Sequence, residues 1–145
     1  MMNQQPTTEE LLKRLKNIKT ESALDTYTLE NTDYSLITSF PEYLESCRKS
    51  ADITAAQLIE SAQIQRNYGY QILNGTKHPG RNKVIALCLA LHLSYEEVQR
   101  ALTLAKEGSL YPKNSRDSVL IFCINKKMSV METNDLLDIR GEELL

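Results

Sequence analysis

Asn67, Tyr70, Gln71 and Asn74 recur at i, i+3, i+4 and i+7, a spacing that puts them on one face of a helix. Gln65 and Arg66 stand at the N-terminal end of the same stretch. The face offers amides, a guanidinium and a phenol, and no carboxylate. Such groups suit the edges of base pairs. Gln and Asn amides pair bidentately with adenine N6 and N7, and Arg with guanine O6 and N7, each worth about 1–3 kcal/mol of discrimination. A helix fits the major groove, with its N-terminal residues reaching the base edges. Lys77, His78, Arg81 and Lys83 follow directly. They are candidates to hold phosphates, contacts that orient a duplex without reading it.

Charge along the chain agrees with that chemistry. The 145 residues carry a net charge of −2, which is unpromising for a polyanion ligand. Residues 1–40 and 113–145 are both net acidic, while 41–112 are slightly basic. From Ser61 to Tyr95 there is no Asp or Glu, yet Arg66, Lys77, Arg81 and Lys83 all fall there. An acid-free run in an acidic protein is the pattern of a surface that faces negative charge.

Other chemistries find little support. His78 and His92 lie 14 residues apart without neighbouring carboxylates or paired thiols, so no metal site is expected. Cys47, Cys88 and Cys123 make an odd count in helix-like stretches and read as reduced core thiols. There is no Gly-rich phosphate loop, nucleophile elbow or HExxH. Glu96-Glu97 reads as a helix N-terminal turn and Glu142-Glu143 as a charged tail. The expectation is a protein that is not an enzyme and needs no cofactor. No apolar run approaches the ~18–20 residues of a membrane span, and MMNQQPTTEE has no export pattern. A cytoplasmic location is expected.

The elements that must position the polar face are helical throughout. Hydrophobic content of 41%, charged content of 25%, five Gly and four Pro suit a globular chain. About eight short helices are expected, with no sheet and no evident internal repeat. Thr7 with Glu10 forms a capping-box pattern before Leu11, Leu12, Leu15 and Ile18, predicting a helix over 8–19. The hydroxyl-rich stretch 20–38 (Thr20, Ser22, Thr26, Tyr27, Thr28, Thr32, Tyr34, Ser35, Thr38) reads as a loose connection, making 1–38 an arm. Ser39 with Glu42, and Pro41 in the first turn, start a helix to about Lys49. Ala55, Leu58, Ile59 and Ala62 predict a short helix, with an abrupt turn around 62–64. The next helix buries Ile64, Tyr68 and Ile72 and stops at Asn74-Gly75. Residues 81–92 are apolar on most sides and should be the buried helix. Ser94 with Glu97 caps another, ending at Gly108, and Tyr111-Pro112 is a hinge. Two further helices follow in 113–145, the second capped by Ser129 with Glu132. Val119, Ile121, Phe122, Cys123 and Ile124 are too apolar to stand fully exposed, so they close over the core or meet a second chain.

Residues 39–107 resemble the phage-repressor-like (Cro/XRE-type) helix-turn-helix family. The resemblance rests on Leu58 and Ile59 in the first motif helix, Ile64 after the turn and Ile72 near the end of the second. It rests further on Gly75-Thr76-Lys77-His78-Pro79, similar to the family's Gly-x-x-x-Pro loop, and on the run Val84 to Ser94. The resemblance implies a five-helix, lambda-repressor-like domain over 39–108 in which Gln65 to Gln71 supply base contacts. Gln63 stands where the family usually has Gly, and Gly69 where it usually has a β-branched residue.

Together these readings lead to a sequence-specific double-stranded DNA binder, a transcriptional regulator acting as a homodimer with residues 65–74 in the major groove. The alternative is a protein-interaction module on the same fold, using Tyr68 and Tyr70 to dock a protein. In that case a kinase could control it through the hydroxyl-rich arm.

Overall fold

A computed structural model describes residues 7–31 and 39–145. The chain divides into two compact units, 1–37 and 38–145.

In the first unit, α1 (Thr8–Asn17) starts at the expected capping box. The Thr7 hydroxyl accepts from the Glu10 N–H (3.1 Å), and the Glu10 carboxylate accepts from the Thr7 N–H (3.3 Å). A second helix, α2 (Glu21–Asn31), occupies much of the stretch read as a loose connection. Its hydroxyls do not compete with the helix. Thr20 caps it by accepting from the Ala23 N–H, and Thr26 and Thr28 donate back to the carbonyls of Ser22 and Asp25. Thr32, Tyr34, Ser35 and Thr38 lie outside the described residues.

The second unit contains α3 (Phe40–Ser50), α4 (Ala55–Ser61), α5 (Arg66–Leu73), α6 (Arg81–Ala90), α7 (Tyr95–Leu104), α8 (Ser115–Asn125) and α9 (Val130–Ile139). With the first unit, that makes nine helices and no strand among the described residues, against the eight expected. The protein is all-α. Its core is built on Leu44, Leu58, Ile72, Ile85, Leu102 and Leu137, each nearly inaccessible to solvent. Helix α6 is the central rod, with Val84 to Leu89 all buried. Burying such side chains supplies about 1.5–3 kcal/mol each.

Four junctions share one local geometry. At α3–α4, α4–α5, α6–α7 and α8–α9 the residue after the C-cap (Asp52, Gln63, His92, Lys127) has φ between 53° and 57°. An apolar residue follows: Ile53, Ile64, Leu93 or Met128. At the last three junctions its N–H bonds the carbonyl five residues back, closing the helix end as a Schellman motif. Each next helix begins at once with a capping side chain. The chain therefore turns sharply within about three residues without glycine.

Hairpins α6–α7 and α8–α9 also repeat each other, 35 residues apart. Arg81, Val84, Cys88, Ser94, Glu97 and Leu102 recur as Arg116, Val119, Cys123, Ser129, Glu132 and Leu137. The bonds recur with them. Arg81 donates to the carbonyls of Gly108 and Ser109, and Arg116 to those of Glu143 and Leu144. Gln99 accepts from the Leu110 N–H, and Asn134 from the Leu145 N–H, both at 2.8 Å. The hairpins meet reciprocally, α6 packing on α9 and α7 on α8, and each arginine reaches across: Arg81 to Asp117, Arg116 to Asn82. The repeat is not evident in the sequence, because few of the matched side chains are identical.

Candidate nucleic-acid interface

The polar face depends on how α5 is anchored. Gln65 is its N-cap, with the side-chain carbonyl accepting from the Tyr68 N–H at 2.8 Å. The cap uses the oxygen of this exposed side chain and not its amide nitrogen. Ile64 and Ile72 are buried as expected, Tyr68 is half-buried, and Gly69 is buried with them. A Cβ built on Gly69 would lie 2.6–2.9 Å from three carbons of Ile59, so α4 lies against the bare backbone of α5. The spacing of three between Gly69 and Ile72 is the signal that assigns the glycine to the inner face.

The outer face carries Gln65, Arg66, Asn67, Tyr70 and Asn74, all exposed. The Arg66 guanidinium lies 5.9 Å from the centre of the Tyr70 ring, a loose cation–π contact that steadies both one turn apart. Gln71 is half-buried at the flank rather than at the crest. Asn74 is the C-cap, and its side-chain carbonyl accepts from the Thr76 N–H at 2.9 Å. Gly75 follows at φ +83°, where a side chain would be strained. The Lys77 N–H bonds the Gln71 carbonyl (3.1 Å), folding the loop back on α5, and buried Pro79 pins its far end. Lys77 and His78 are exposed on this loop, and Lys83 is half-buried in the first turn of α6.

Arg81 does not belong with them. Its Nε donates to the Gly108 carbonyl (2.8 Å), Nη1 to Asp117 (2.9 Å), and Nη2 to Asp117 (2.8 Å) and the Ser109 carbonyl (2.9 Å). Four of its five N–H groups are thus engaged. A phosphate would have to displace a bidentate carboxylate, so the expectation that Arg81 contacts DNA is corrected: it is an internal clamp. Asp117 also accepts from the Tyr111 N–H (2.9 Å). Burial alone would raise the Asp117 carboxyl pKa, but hydrogen bonds from Arg81 and Tyr111 hold it below the usual range.

The thiols are placed as core groups. Cys88 and Cys123 are buried, Cys47 is half-buried, and burial pushes all three pKa values up, away from the thiolate. Among the described residues no three His, Cys, Asp or Glu side chains gather as a metal site, and no helix is long and apolar enough to cross a membrane.

No family model matches the chain, and neither a curated protein nor a solved structure matches it.

Proposed function

We infer that this protein is a sequence-specific double-stranded DNA binder that regulates transcription as a homodimer. Helices α3–α7 serve in this reading as a phage-repressor-like five-helix domain, with α4 and α5 as its helix-turn-helix pair. The observation that carries it is the outward face of α5, where Gln65, Arg66, Asn67, Tyr70 and Asn74 stand exposed without a carboxylate, ahead of Lys77 and His78.

In this reading each group has a role. α5 enters the major groove with its N-terminal end foremost, so Arg66 and Asn67 meet base edges while Gln65 offers its free amide nitrogen. Tyr70, beneath Arg66, limits the guanidinium's freedom and reduces the ordering cost of a bidentate contact. Lys77, His78 and Lys83 lie along the backbone and supply salt-dependent affinity. Asn74 and Gly75 hold the loop that presents them. In a dimer, two copies of α5 would read half-sites about one helical turn, ~34 Å, apart.

Selection of bound sequences from a random duplex pool, followed by a salt titration on the selected site, tests the reading. A recurrent motif and affinity falling steeply with salt are expected. Absence of duplex binding at low salt would overturn it and leave the α5 face, with Tyr70 at its centre, as a protein-docking surface.

A further inference from the structure

The repeat of α6–α7 by α8–α9 makes the surface of the second hairpin interpretable. In the first hairpin Leu87 and Ala101 are buried, at 1% exposure each. Their counterparts, 35 residues on, are Phe122 and Leu136. Phe122 is 49% exposed and Leu136 is half-buried. Because the hairpins meet reciprocally, a position open on one copy lies outside their shared interface on both. Leu87 and Ala101 are therefore covered from the other side, where α4 packs on α6 and α3 on α7. The second hairpin carries the same face without the helices that cover it in the first. Val119, Phe122 and Leu136 form the apolar floor of a groove of about 490 Å³ between α8 and α9, edged by Ser115, Ser118 and Arg140.

The rim of this groove identifies what covers it. Leu136 stands midway between Glu132 in the first turn of α9, one of whose carboxylate oxygens accepts from the Ser129 N–H, and the C-cap Arg140, four residues to either side. At 1.5 Å per residue the two charges lie about 6 Å on each side of it. A two-fold axis through Leu136 sets a second α9 antiparallel to the first, with Glu132 of each copy opposite Arg140 of the other. Arg140 has no ion-pair partner among the described residues. The arrangement is self-complementary, as an isologous interface requires.

We propose that the outer face of α8–α9, centred on Phe122 and Leu136, is a homodimer interface in which two copies of this chain pack antiparallel along α9. The interface supplies the dimer of the DNA-binding reading. It is measurable without DNA, so failure of one does not entail failure of the other.

Sedimentation equilibrium of the full chain across a concentration series is the experiment. The parent is expected to sediment as a dimer at micromolar concentrations. Phe122→Glu, a change at an exposed position, is expected to give a monomer with unchanged helix content and melting temperature. Arg140→Glu and Glu132→Lys each place like charges across the axis, and each is expected to weaken self-association by roughly tenfold or more; Glu132→Lys also loses the cap bond from the Ser129 N–H, a separate cost that its melting temperature reads. An equimolar mixture restores both attractive pairs and is expected to form a heterodimer. A monomeric parent, a dimer unaffected by Phe122→Glu, or a mixture no tighter than its components would overturn the interface. A monomeric parent whose α8–α9 amides resist hydrogen exchange as strongly as those of α6 would show that the groove is filled from within the chain.

Discussion

Ile59 occupies the space that a side chain on residue 69 would need: three of its carbons lie within 2.9 Å of a Cβ built on Gly69. Helices α4 and α5 thus touch side chain to backbone, and the angle of the polar face is fixed by a glycine that helix propensity alone would reject.

Gly69→Ala therefore destabilises the protein, against the ~1 kcal/mol that alanine gains over glycine in a helix. Overpacking of this kind costs about 1–3 kcal/mol. Ile59→Ala alone leaves a cavity, but combined with Gly69→Ala it is less harmful than the two losses added. Urea unfolding of the four proteins measures the coupling. An additive cycle would show that the two side chains do not compete for space.

The Arg81–Asp117 clamp predicts a pH-dependent term in stability. Asp117 has a lowered carboxyl pKa in the folded state, so its contribution is present above the unfolded carboxyl range, about pH 4, and is lost as pH falls through the lower folded value. Asp117→Asn is expected to cost about 2–3 kcal/mol near neutral pH, less than a wholly buried pair because a quarter of the Arg81 side chain faces water. The gap between parent and variant should close in acid. Chemical denaturation at a series of pH values reads both.

Gln63 sits at φ +57° in the turn between α4 and α5. A side chain in the left-handed region costs about 1–2 kcal/mol, and glycine's extra unfolded-state freedom returns part of any gain. Gln63→Gly is expected to stabilise by about 0.5–1 kcal/mol, seen as a higher melting temperature with the α5 face unmoved. An unchanged or lower melting temperature would mean that the Gln63 side chain contributes more than its backbone costs.

On DNA, the two groups of polar residues should separate. Arg66→Ala is expected to cost about 1–3 kcal/mol on the selected site and little on random duplex. Gln71→Ala does the same to a smaller degree, since Gln71 stands at the flank of the face. Lys77→Ala weakens every duplex alike and lowers the salt slope by about one. Arg81→Ala acts through stability only. Fluorescence anisotropy on specific and random duplexes at several salt concentrations distinguishes these outcomes.

Local signals in the sequence were the dependable ones. The boxes at Thr7, Ser94 and Ser129 start helices where their spacing says, because a cap is satisfied within four residues. The outward placement of Asn67 and Tyr70 follows from the same short-range periodicity. What escaped depends on distant partners or on backbone shape. Arg81 looks free until Asp117, 36 residues away, is brought to it. Glu21 to Asn31 is helical although its hydroxyls suggest a loop: Thr20 caps the helix and the Thr26 and Thr28 hydroxyls are accommodated on helix carbonyls. The repeat is faint because its identical pairs, such as Arg81 and Arg116, are scattered among unlike ones, and its left-handed turns are made by residues as different as His92 and Lys127.

The second hairpin repeats the fasteners of the first: its cap and its turn close within itself, and its arginine both hooks its own end and reaches across to the other hairpin. Only the seam between the two copies is lopsided. Arg81 grips an anion at Asp117, whereas the mirror-image hook, Arg116, meets merely an amide at Asn82. Protonation of Asp117 therefore weakens one of the two polar crossings of the seam and leaves the other, Arg116 to Asn82, as it was.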